Sequence, residues 1–204
     1  MDKTKLRDVA EGQTPEDIIR AIDGTSARLL RAKSSEPVAQ GPCSNDVKIL
    51  LTDTANRLAC LRGRIAASGM ETILSDDDAM LLARLAHDDQ EPRTDRLADH
   101  IGNKGDMERL LYGISDQIEY NLQEAEMHDR SWRECGADES VAADMERLCA
   151  LKLCLLRNDI FEDGAETPLP ANAVGIIDFF LSAPNDGLRR LGFLDRVFGF
   201  RESY

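Results

Sequence analysis

Much of what marks a dedicated enzyme or membrane protein is missing here. No two cysteines form a CxxC pair. The 5 cysteines, Cys43, Cys60, Cys135, Cys149 and Cys154, are odd in number and scattered, which argues against a zinc module or a disulfide framework. A reducing cytoplasm is the expected setting. No apolar run is long enough to span a bilayer, so no membrane contact is expected. The opening MDKTKLRDVAEG lacks the apolar core of a signal peptide. Phosphate loops, dinucleotide fingerprints and nucleophile elbows do not occur, and no cofactor is expected. Internal repeats and low-complexity tracts are absent, and no alternating β pattern rises above background.

What remains is helical periodicity and negative charge. Hydrophobic residues make up 42% of 204, enough for a core. The formal net charge is −13. Such a surface repels nucleic acid and anionic membranes and favours a basic protein partner. Residues 1–33 are close to neutral, and so is the stretch from Ala171, which leaves the acidic excess in the middle of the chain.

The expected fold is all-α, a multi-helix bundle with a central buried helix at about 137–161 and a small N-terminal helical unit. In ADESVAADMERLCALKLCLLRNDIF, one series at helical spacing is Val141, Met145, Leu148, Leu151 and Leu155. A second is Cys149, Leu153, Leu156 and Ile160. Two apolar faces on one helix imply burial on two sides. The same spacing predicts helices over 45–68 (Val47, Leu51, Thr54, Leu58, Leu61, Ile65) and from Asp106 to about Arg130. Gly113 inside the latter marks a small cost or a close approach between helices. A short helix follows the cap Ser75, and Thr94 begins another. The domain reading is 1–33 as an N-terminal helical hairpin or helix-turn-helix-like unit and 34–44 as a linker. Residues 45–204 then form an acidic bundle ending in an aromatic helical hairpin with Phe179, Phe180, Phe193, Phe198 and Phe200.

Three segments resemble known families. LRDVAEGQTPEDIIRAIDGTSARLLRAK is similar to helix-turn-helix segments of bacterial regulators, with the turn at Asp23-Gly24-Thr25; an ordinary helical hairpin or one kinked helix is the favoured reading of the same residues. The resemblance implies a second helix offering Ser26, Arg28, Arg31 and Lys33 to DNA. The order His87, His128-Asp129, Asp159 resembles the metal ligands of HD-type phosphohydrolases, which are all-helical. Arg93 and His100 resemble the RNase motif of HEPN domains, with Thr94 where a polar Asn, Asp or His is usual.

The leading expectation is a non-enzymatic acidic protein that binds a basic protein, in the manner of an inhibitor, antitoxin, immunity protein or phage regulator. Its candidate partner-binding residues are Asp76, Asp77, Asp78, Asp88, Asp89, Glu91, Glu134, Asp138 and Glu139. Self-association is a further expectation. Nucleic acid would be met only through the N-terminal unit. No catalytic residue and no metal ligand is assigned outside the HD-type alternative.

Overall fold

The computed structural model describes residues 4–10, 12–35, 44–83, 93–135 and 137–182, with 93–94, 132–135, 137–140 and 171–172 described by backbone alone. The α-helices among them are α1 (Leu6–Val9), α2 (Pro15–Ser34), α3 (Ser44–Ser68), α4 (Asp76–Leu81), α5 (Lys104–Cys135), α6 (Ala137–Asp163) and α7 (Ala171–Ser182). The fold is all-α and multi-helical. No helix among the described residues is long and apolar enough to cross a membrane.

The chain divides into two compact units, Met1–Ser34 with Lys48–Glu91, and Ser35–Val47 with Pro92–Tyr204. In the first unit the N-terminal residues are tied to the later segment. Lys5 bridges Ile73 antiparallel, and the Leu6 and Leu74 N–H groups donate to Thr72 and Thr4 carbonyls, each at 2.9 Å. Asp23 accepts from Arg62 Nε at 2.6 Å.

Helix α2 starts on a Thr-Pro pair. Thr14 Oγ1 accepts from the Asp17 N–H at 3.2 Å, and Pro15 takes the first helical position. The turn expected at Asp23-Gly24-Thr25 is absent, and the backbone stays helical from Pro15 to Ser34. Ile18, Ala21, Ile22, Thr25, Leu29 and Ala32 form one unbroken buried stripe across Gly24. Keeping that stripe in phase outweighs the roughly 1 kcal/mol that glycine costs inside a helix. Helix α3 buries all six stripe positions, Thr54 included. It gives way at Gly69, whose φ of +54° is the left-handed conformation that favours glycine.

In the second unit, α5 begins with a reciprocal cap. Asn103 Oδ1 accepts from the Asp106 N–H at 3.2 Å, and Asp106 Oδ2 accepts from the Asn103 N–H at 3.1 Å. Helices α5 and α6 run antiparallel: Ser115 meets Arg157 near one end of the pair, and Asp129 meets Arg147 near the other. Every residue of α6 from Leu148 to Asn158 is buried, and Ile160 as well, whereas Val141 is exposed. Helix α7 lays Phe180 against Gly113 of α5. A helix was expected to begin at Thr94. Instead Arg93–Arg96 forms a short strand, β1, antiparallel to β2 (Pro168–Pro170), with Arg96 opposite Pro168. Two prolines leave no alternating pattern to read. The predicted last helix, with Phe193, Phe198 and Phe200, lies outside the described residues, as does most of the 34–44 linker.

Candidate functional site

The expected acidic residues fall into both units. Asp76, Asp77 and Asp78 open α4 in the first unit. Ser75 Oγ accepts from the Asp78 N–H at 3.1 Å, and Asp78 accepts in return from the Ser75 N–H at 3.3 Å. Arg64 also donates to Asp78, and Arg57 lies 3.7 Å from Asp77. Partial burial alone would raise the Asp78 pKa. The bonds from Arg64 and Ser75 outweigh it and hold the carboxyl below its ordinary value. Asp77 and Asp78 are therefore engaged within the chain. Asp88, Asp89 and Glu91 lie outside the described residues. Glu134 stands in the last turn of α5, and Asp138 and Glu139 in the first turn of α6, with side chains outside the described residues.

The N-terminal basic residues Ser26, Arg28, Arg31 and Lys33 all lie on the single helix α2. Arg28 and Arg31 line an open groove of about 570 Å³ together with Arg20, Asp17 and Gln13. Gly24, Ala21 and Ala27 leave it concave. The paired helices of a helix-turn-helix are not formed by these residues.

The HD-type set does not converge. Asp129 of α5 is engaged by Arg147, while Asp159 lies twelve residues further along α6, roughly 18 Å at 1.5 Å per residue. His87 lies outside the described residues. Among the described residues no three His, Cys, Asp or Glu side chains gather as metal ligands. His100, of the HEPN-like pair, points Nδ1 at Asp178 of α7 at 3.3 Å; the Arg93 side chain lies outside the described residues.

Inside the α5–α6 pair lies a polar layer that helical periodicity alone does not reveal. Gln117 and Asn121 occupy the stripe of α5 that also carries Leu110, Ile114 and Ala125, and all five are buried. Gln117 donates to Asn121 at 2.7 Å. On α6, Lys152, Cys154, Arg157 and Asn158 are buried, Arg157 at 4% exposure. Arg157 Nη1 donates to Ser115 Oγ at 3.0 Å. Burial pushes the Cys154 thiol up to about 12, despite Arg157 nearby. That thiol stays protonated at neutral pH and is a core residue, as its place in the buried stretch suggests. Polar residues on an apolar stripe were the available signal. Breaks at 117, 121, 157 and 158 in two otherwise apolar series mark positions where a side chain must find a buried partner.

The outer side of the same pair is acidic. The first unit carries 12 Lys and Arg against 14 Asp and Glu, a net of −2; the second carries 13 against 24, a net of −11. Residues 104–163, spanning α5 and α6, hold 15 acids against 7 bases. Two of those bases, Lys152 and Arg157, are buried. Along the outer face of α5, Tyr112 (72% exposed), Asp116, Glu119, Gln123 and Met127 follow at steps of three and four. Tyr and Met are enriched at protein–protein contacts relative to the rest of a protein surface. Compared with protein-family models, curated proteins and solved structures, the chain finds no match.

Proposed function

We propose that this is a non-enzymatic acidic helical protein that acts by binding a basic protein partner through the outer surface of α5 and α6. One observation carries the reading: residues 104–163 hold 15 acids against 7 bases, and two of those bases face inward. The long-range field of that surface draws in a basic partner, and Tyr112 and Met127 supply contact area once it arrives. In this reading the protein is an inhibitor, antitoxin, immunity or phage regulatory protein whose acidic surface covers a basic cleft on its partner. The test is a salt titration of partner binding with a variant carrying Asp116→Lys and Glu119→Lys. Affinity should fall steeply with salt in the wild type and be lost in the variant at low salt. Binding that is indifferent to both would remove the reading.

A second reading rests on the α2 groove, where Arg20, Arg28 and Arg31 approach one concavity. It makes the protein a DNA-binding regulator that contacts phosphate through α2. Gel-shift binding at low salt, abolished by Arg28→Ala with Arg31→Ala, is its expected result. No shift by the wild type at low salt would end it.

A further inference from the structure

Arg157 is buried, and among the described residues no carboxylate is paired with it. Its one hydrogen-bond partner among the described residues is Ser115 Oγ, which already donates to the Leu111 carbonyl at 2.8 Å. Cys154, three residues earlier on α6, is protonated at neutral pH and provides no counter-charge. The guanidinium is desolvated, which lowers its pKa, yet arginine keeps its proton in proteins. Among the described residues the Arg157 Nε–H has no acceptor, the Asn121 amide N–H group is also an unpaired donor, and the Asn158 amide oxygen is an unpaired acceptor. All three residues are more than nine-tenths buried. An uncompensated charge in an interior is among the most costly arrangements a fold can hold. The orphaned Arg157 Nε–H calls for an acceptor.

We propose that a small monovalent anion, of the size of chloride or bromide, binds between α5 and α6 against the Arg157 guanidinium and accepts from its Nε–H. The anion supplies the missing charge and acceptor together, so it stabilises the helix pair. A water molecule could satisfy the donor and would leave the charge uncompensated.

The test uses the full chain. Thermal midpoints are compared in sodium chloride and in sodium gluconate at equal ionic strength, since gluconate is too large to enter a packed helix interface. Wild type should unfold at a higher temperature in chloride, and Arg157→Met should show no difference between the two salts. Equal midpoints for the wild type, or a difference that persists in Arg157→Met, would overturn the proposal. Should Arg157→Met fail to fold, wild-type crystals soaked in bromide decide the matter. An anomalous peak within hydrogen-bond reach of Arg157 Nε supports the site, and density for water alone there rejects it.

Discussion

A Cβ added at Gly113 would lie 2.9 Å from Phe180 Cδ1, closer than such atoms pack, and the ring that would have to move is buried. Gly113→Ala gains about 1 kcal/mol of helix propensity and loses about 1–3 kcal/mol to overpacking, so a net destabilisation of about 1 kcal/mol is expected. Adding Phe180→Leu should relieve the clash, and chemical denaturation of the single and double variants measures the coupling. Asp78 carries a different signature. Its folded pKa lies below the ordinary 3.8, so its contribution is complete above that value and is lost as pH falls through the lowered one. Asp78→Asn should cost about 1–2 kcal/mol near neutral pH. The gap from wild type should close in acid below the ordinary carboxylate value, as read by denaturant midpoints across a pH series. Both residues were readable in part. A lone glycine in an apolar helix and a Ser-x-x-Asp opening declare themselves in one dimension. Arg157 did not, because a cation four residues from the end of an apolar run looks the same whether it points to solvent or to Ser115.

At the scale of elements, the caps and stripes were the reliable signal. Thr14, Ser75 and the Val47-to-Ile65 stripe fall where local rules put them, since hydrogen bonds of three or four residues' reach fix them. Gly24 was misread because a glycine flanked by Asp and Thr satisfies turn chemistry locally, while the buried stripe that overrides it comes from neighbours distant in sequence. The strand at Arg93–Arg96 was missed for the same reason: its pairing with Pro168–Pro170 is a contact made only in the fold. Gly63 offers a clean check on helix α3. An added Cβ there meets nothing within 4 Å and the residue is exposed, so Gly63→Ala should stabilise by about 1 kcal/mol, seen as a raised thermal midpoint. A lowered midpoint would mean that α3 is not continuous at this position.

For the molecule as a whole, composition announced the sign and size of the charge but not its distribution in space. The sequence placed the acidic excess in the middle of the chain. The division into units assigns −11 of the −13 to Ser35–Val47 with Pro92–Tyr204. It also shows Asp77 and Asp78, the most conspicuous run in one dimension, facing Arg57 and Arg64. A linear cluster is a weak guide to an available charge, because its neutralising partners sit one or more turns away on another helix. The most direct measurement is therefore capture from native host lysate on wild-type protein and on the Asp116→Lys, Glu119→Lys variant, each eluted by a salt gradient with protein and nucleic acid both identified. One basic protein should leave the wild type at moderate salt and not be retained by the variant. Equal retention by both, or recovery of nucleic acid alone, would contradict it.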